Sequence, residues 1–126
     1  MSDETSDETP VPEGLASSGL KLWTAVTKDY ELDEHESALL LQACRTLDVI
    51  DALDTDVQLY GTLIDSPQGR KTNPSIGEAR QQRIAYARLS AALRLPQGEV
   101  GDHQATARPQ RRGGVREPYG IKGAVS

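Results

Sequence analysis

The longest regular pattern of apolar residues in this chain covers residues 32–60. Apolar side chains recur there at steps of three, four and seven residues, the spacing that places them on one stripe of an α-helix. The stripe consists of Leu32, Leu39, Ala43, Leu47, Ile50, Leu53 and Val57. Asp33 and Glu36 have the spacing of a capping box, which satisfies free amide groups of the first turn. The pattern predicts a helix roughly 40 Å long, which needs packing partners along its whole length.

A shorter helical pattern precedes the long one. It starts at Ser17 or Ser18, the two candidate N-caps, and ends at Tyr30. Trp23 lies in its apolar stripe, so we expect Trp23 to anchor this helix against the long one. The link between the two helices is short, which predicts an antiparallel helical hairpin.

A third helix is predicted from Asn73, the candidate N-cap, through Pro74 at the first helical position, to about Arg94. It carries two apolar stripes: Gln82, Tyr86, Leu89 and Leu93 form one, and Ile84, Ala87 and Ala91 form the other. A helix with two apolar faces contacts more than one neighbour. We therefore expect one face to pack on the helical hairpin and the other on an adjacent subunit.

The segment before the third helix has a different pattern. Residues 62–64 are a short β-like run, residues 66–69 have turn composition, and residues 70–72 return along the first run. A small β-hairpin or ordered loop is predicted here. The fold class is therefore mainly α, a helical hairpin plus a long third helix with this β-hairpin or loop as an insertion.

Composition changes at both ends of the helical region. Residues 1–13 repeat the SDET motif and contain five acids and no base, which predicts a disordered acidic arm. Residues 96–126 are rich in glycine and lack helical spacing, which predicts a flexible basic C-terminal tail. We expect one helical domain over residues 14–95, between disordered N- and C-terminal tails.

Composition and charge narrow the function. The 126 residues contain no Phe and one Trp, so a large self-contained core is not expected, and small helical units often complete their core by self-association. The formal charge of −5 is segregated into an acidic head and a basic tail. This polarity suits contact with a polyanion. No apolar run is long enough to span a membrane and no signal-peptide pattern is present, which predicts a soluble, cytoplasmic protein.

Candidate chemistry is sparse. The single Cys44 lies within the long helical run and is expected to be a buried structural thiol, and His35 lacks partners at ligand spacing. Four aspartates cluster in the second half of the long helix: Asp48, Asp51, Asp54 and Asp56. We expect them to form a solvated face, or ion pairs with arginines of another subunit, and not a magnesium or acid–base site. With no catalytic motif, we expect no enzymatic activity, metal or cofactor.

Basic residues are the candidates for phosphate contact. They are Lys21 and Lys28 on the first helix, Arg70 and Lys71 in the hairpin, Arg80, Arg83 and Arg88 on the third helix, and Arg108, Arg111, Arg112 and Arg116 in the tail. The arginines of the third helix have two open interpretations, because they either line a rim or channel or pair with the aspartate cluster. The lysines and hairpin cations are equally compatible with ordinary surface solvation.

Weaker apolar faces are the candidates for subunit contacts. They contain Leu41, Ala52 and Leu59 on the long helix, and Ile84, Ala87 and Ala91 on the third helix. If the missing packing partners of the long helix are other copies of the same chain, these residues form the oligomer interface.

Beyond these patterns, the chain resembles the small terminase subunits of tailed phages. The resemblance is carried by segments 19–32, 36–48 and 73–83, followed by Ala87-Arg-Leu and Leu93-Arg-Leu-Pro96, and by the tail sequences 111–116 and 119–123. It covers about residues 14–95 and part of the tail. Its motifs are spread over helices in a fixed order and contain no catalytic signature, and the acidic SDET repeat is not part of the family pattern.

The resemblance implies a function that the residues alone do not. Family members form rings, recognise viral DNA and deliver it to the large terminase subunit, which holds the ATPase and nuclease. This implies a non-catalytic, ring-forming oligomer of about eight or more subunits, with residues 14–95 as its oligomerisation and DNA-binding domain. It also implies two partners: double-stranded viral DNA, and the large terminase subunit, which the C-terminal tail contacts. The implied location is the host cytoplasm. Two alternatives remain: a DNA-binding regulator acting as a dimer, and a helical protein-interaction adaptor.

Overall fold

The computed structural model describes residues 9–95 and 109–111 of the chain. Within these residues it contains three helices and two small antiparallel sheets. The elements are α1 (Ser17–Asp29), β1 (Tyr30–Glu31), α2 (Glu34–Tyr60), β2 (Leu63–Ser66), β3 (Gly69–Thr72), α3 (Pro74–Leu93) and β4 (Gln110–Arg111). The mainly helical fold with a small β-hairpin is confirmed, while the ring-forming oligomer stays a prediction.

Helix α2, with 27 residues, is the central element. Its predicted capping box is confirmed: the Glu36 amide donates to the Asp33 carboxylate at 2.7 Å, and the Asp33 amide donates to Glu36 Oε1 at 3.0 Å. The helix ends at Tyr60, and the C-cap Gly61 has a φ of 88°, which favours glycine because a Cβ atom is strained in that region. Both boundaries of α2 are therefore set by local sequence.

Helix α1 packs antiparallel to α2, because its end is linked to the start of α2 while residues 16–19 hydrogen-bond to Asp48 and Asp51, past the middle of α2. The two candidate N-caps were wrong, because the N-cap residue is Ala16 and no side chain of α1 itself caps the helix. Gly19 allows the close approach of the two helices, since a Cβ atom there would lie 2.7 Å from the Cys44 carbonyl oxygen.

Helix α3 begins as predicted, with Asn73 as N-cap and Pro74 in the first turn. The Asn73 side-chain oxygen accepts from the Ser75 amide at 2.9 Å. The helix returns along α2, so that Ala79 and Leu93 are buried. It stops at Arg94, which adopts a left-handed conformation with φ of 58°. The chain thus wraps α2 with one helix before it and one helix after it.

The main core lies where the three helices meet. It consists of Trp23, Val26, Tyr30, Leu40, Cys44 and Leu93. The predicted roles of Trp23 as a core anchor and Cys44 as a buried thiol are confirmed. Leu40 was outside the predicted stripe of α2 yet is fully buried, because α2 packs against two helices and its buried surface is wider than one stripe.

The thiol in this core has a shifted acidity. Burial, followed by the nearby negative charge of Asp48, raises the pKa of Cys44 from 9.0 to about 11. The thiolate is the reactive form of cysteine, so this environment keeps the thiol inert near neutral pH. That agrees with the structural role predicted for Cys44.

Two short sheets complete the structure. The predicted hairpin is formed by β2 and β3, with Leu63 opposite Thr72 and Ser66 opposite Gly69. In the predicted tail, β4 pairs antiparallel with β1, which differs from the expectation of a structureless tail at these residues. The predicted disorder of residues 1–8, 96–108 and 112–126 lies outside the described residues. None of the described helices combines the length and apolar character needed to cross a membrane.

Candidate nucleic-acid interface

The aspartates of α2 hold the helical body together, which corrects the expectation of a solvated face or contacts to another subunit. Asp48 accepts hydrogen bonds from the backbone amides of Ala16 and Gly19, both at 2.7 Å. Asp51 accepts one from the Ser18 hydroxyl. The free amides at a helix start carry partial positive charge. The Asp48 carboxylate of α2 therefore caps the start of α1, which has no capping side chain of its own.

The other two aspartates bind α3. Arg83 donates from Nη2 to both carboxylate oxygens of Asp54, at 2.6 and 2.9 Å. Asp56 accepts from the Ser75 hydroxyl at 2.8 Å and from the Asn73 amide group at 3.2 Å. Of the two interpretations left open for the arginines of α3, pairing with the aspartates holds for Arg83. This residue is therefore not a free cation for phosphate contact.

The two candidate lysines of α1 are exposed and accessible. Lys21 and Lys28 are two helical turns apart, so they lie on the same side of α1. Both line one open groove along the exposed face of this helix, together with Leu20, Thr24 and Asp29. This part of the surface presents two cations with one carboxylate beside them.

The hairpin cations lie on β3, which is exposed along its length. Arg70 Nε is 3.4 Å from Asp65 Oδ1, and both side chains remain mostly accessible. Because successive residues of a strand point to opposite faces, Arg70 and Lys71 face opposite sides of the hairpin. A single flat polyanion surface therefore reaches one of them more easily than both.

The remaining candidates of α3, Arg80 and Arg88, are exposed. They are eight residues apart, which separates them by roughly 12 Å along the helix axis. The antiparallel packing places Arg80 toward the hairpin and Lys28 toward the opposite end of α2. The candidate cations are thus spread over a body roughly 40 Å long and do not form one compact patch.

The tail candidates are placed only in part. Arg111 lies in β4, opposite Tyr30 of β1. Arg108, Arg112 and Arg116 lie outside the described residues. Their predicted contact with nucleic acid therefore stays a prediction from sequence.

The predicted oligomer interface is mostly uncovered. Leu59 is 70% exposed and Ile84 is 42% exposed. The smaller members Ala52, Ala87 and Ala91 are exposed as well. By contrast, Leu41 packs against the core of its own chain, so it does not lie with the exposed members.

Further apolar side chains that the interface prediction missed are also exposed. Val49, Tyr60 and Leu63 are 42%, 66% and 49% exposed. Val49 and Ala52 are three residues apart and Leu59 follows seven residues later, which places them on one side of α2. Reading α2 for a second stripe at this spacing would have found Val49.

The described residues contain no candidate metal centre. No group of three or more His, Cys, Asp or Glu side chains is arranged to hold a metal ion there. Comparison of the chain with protein-family models, with curated proteins and with solved structures found no match.

Proposed function

We propose that this chain is a non-catalytic, DNA-binding subunit of a ring, of the kind that the small terminase subunits of tailed phages form. In this proposal the ring recognises viral double-stranded DNA and loads it onto the large terminase subunit for genome packaging. The sequence resemblance supports the proposal, as do the helical body, its exposed apolar faces and its exposed cations.

The exposed apolar faces of α2 and α3 carry the proposal. Leu59 and Tyr60 are more than 60% exposed at the end of the longest helix, and Ile84 is exposed on α3. Burying apolar surface is favourable by about 25 cal/mol per Å². A second copy that covers one of these faces stabilises the assembly, and a face on each of two helices allows each subunit to have two neighbours.

The mass of the assembly tests this part of the proposal. We expect native mass spectrometry to show a closed ring of about eight or more subunits. Ile84→Glu should reduce the mass, because it places a charge in the apolar contact. Gln81→Glu is the matched control, since it adds the same charge at another exposed position of α3 and should leave the mass unchanged. A monomer for the unmodified chain would refute the ring.

DNA binding tests the second part. Each phosphate contact contributes about 0.9 to the magnitude of the slope of log K against log salt concentration. Removing two contacts should therefore reduce the magnitude of that slope by about 1.8. We expect Arg80→Ala with Arg88→Ala to produce this loss, and Arg80→Lys with Arg88→Lys to keep the slope. Absence of DNA binding at low salt would overturn the DNA role and favour a protein-interaction adaptor. A stable dimer that binds DNA would favour a regulator.

A further inference from the structure

The pairing of β4 with β1 joins the tail to the connection between α1 and α2. Gln110 lies opposite Glu31, and Arg111 lies opposite Tyr30. Tyr30 is also part of the main core, and Pro109, the residue before β4, is buried. The tail strand therefore lies against a fixed part of the helical body.

The sequences around the two paired strands have opposite charge. Residues 29–36 contain five carboxylates and neither Lys nor Arg. Two of these carboxylates, Asp33 and Glu36, are occupied by the capping box, whereas Glu31 and Glu34 are exposed. Residues 108–116 contain four arginines and no acid. Opposite charges on neighbouring strands stabilise their pairing, and salt weakens this attraction.

The chain length between the body and β4 allows pairing within one molecule. Leu95 packs against the core that contains Tyr30 and Leu93. Residues 96–108 connect this point to Pro109, and an extended segment of that length reaches over 40 Å at about 3.3 Å per residue. Because Leu95 is already beside the core that includes Tyr30, this connection does not need to be stretched.

We propose that β1 and the acidic residues beside it are a docking strand for the basic tail of the same chain, and that nucleic acid competes with β1 for that tail. This inference rests on the proposed DNA-binding function. When β4 is paired, the backbone of Arg111 is held beside an acidic connection. Arg108 and Arg112 are adjacent in sequence to the segment 109–111. DNA then binds the tail only in molecules whose tail is undocked. The apparent affinity of the tail for DNA is therefore its intrinsic affinity multiplied by the undocked fraction.

Substitutions at position 110 test the docking directly. Gln110→Glu places a like charge opposite Glu31, and Gln110→Lys places an opposite charge there. We expect millisecond amide hydrogen exchange of peptides covering residues 27–36 and 105–116 to become about two- to five-fold faster in the first variant and slower in the second. Glu31→Lys should also speed exchange, and combining it with Gln110→Glu should restore the original rate. Equal rates in all variants, or no rescue, would overturn the docking.

Dilution separates docking in one chain from docking on a neighbour. Pairing within one chain gives exchange rates that do not depend on protein concentration. If protection falls on dilution, the tail belongs to a neighbouring copy, which would overturn the proposal for the same chain.

A DNA titration tests the competition. Glu31→Gln and the control Glu13→Gln each remove one exposed carboxylate, but only the first lies beside β4. We expect Glu31→Gln to bind DNA about two- to five-fold more tightly than the control at low salt, with the difference shrinking as salt rises. Equal affinities would overturn the competition while leaving the DNA-binding role intact. Absence of DNA binding in every variant would instead remove the proposed function, and the exchange experiment would still decide the docking.

Discussion

Asp48 offers a sharp test of how this fold is held together. Its carboxylate accepts the backbone amides of Ala16 and Gly19 at 2.7 Å each, and it is the side chain from α2 that caps α1. Hydrogen bonds to a charged group contribute about 1.5–3 kcal/mol, and loss of a helix cap costs about 0.5–2 kcal/mol. Asp48 is half-buried, so water replaces part of what is lost. We expect Asp48→Ala to lower the free energy of unfolding by about 2–3 kcal/mol.

Two comparison variants make the prediction specific. Asp48→Asn keeps one acceptor oxygen but loses the charge, so we expect roughly half of the destabilisation. Asp54→Ala removes an aspartate from the same helix whose ion pair with Arg83 is about half exposed. Such pairs contribute about 0.2–1 kcal/mol, so the loss should stay below about 1 kcal/mol.

Urea denaturation measures these differences. Trp23 is the only tryptophan and is 4% exposed in the core that joins the three helices, so its fluorescence reports unfolding. Measurements at two protein concentrations separate unfolding of the chain from dissociation of an assembly. If Asp48→Ala and Asp54→Ala destabilise the chain equally, or if Asp48→Ala is within about 0.5 kcal/mol of the unmodified chain, the capping role is refuted.

Two further predictions concern Cys44 and Asn73. The folded chain raises the pKa of Cys44 from 9.0 to about 11, so the unfolded chain loses the thiol proton at a lower pH than the folded chain does. The thiol should therefore leave the free energy of unfolding unchanged below about pH 9 and lower it by about 1 kcal/mol at pH 10. The Cys44→Ala variant should lack this part of the decline in the urea midpoint, and an identical decline would contradict the assignment. Asn73 is 2% exposed, caps α3 and donates to the Gly61 carbonyl at 2.9 Å, so Asn73→Ala should cost about 2–3 kcal/mol in the same assay. Asn73→Asp keeps the capping oxygen, but it removes the amide group that donates to Gly61 and places a second carboxylate beside Asp56. If this variant is as stable as the unmodified chain, only the cap contributes to stability.

Local signals in the sequence determined the elements and most of their ends. The capping box of Asp33 and Glu36, the Asn73-Pro74 start of α3 and the turn between β2 and β3 each act within about four residues. Such signals do not depend on distant parts of the chain. The order of residues alone therefore predicts three helices and a hairpin in the correct succession.

Candidate cations were partly predictable for the same reason. That Lys21, Lys28 and Arg80 are exposed follows from their positions outside the apolar stripes. That Arg83 is instead bound to Asp54 depends on the register of α3 against α2. Sequence spacing within one helix contains no information about that register, so spacing alone left both interpretations open.

Which distant groups meet depends instead on how the helices pack. Asp48 caps a helix that begins 31 residues earlier, Leu40 is buried because two helices cover α2, and Gln110–Arg111 pairs with Tyr30–Glu31. Each of these contacts joins segments far apart in sequence, and it forms only when the packing of several helices brings both partners together. Local sequence set the helices, the N-caps of α2 and α3 and the segregation of charge. The packing of α1 and α3 on α2 decided which charges are bound within the chain and which apolar faces stay exposed.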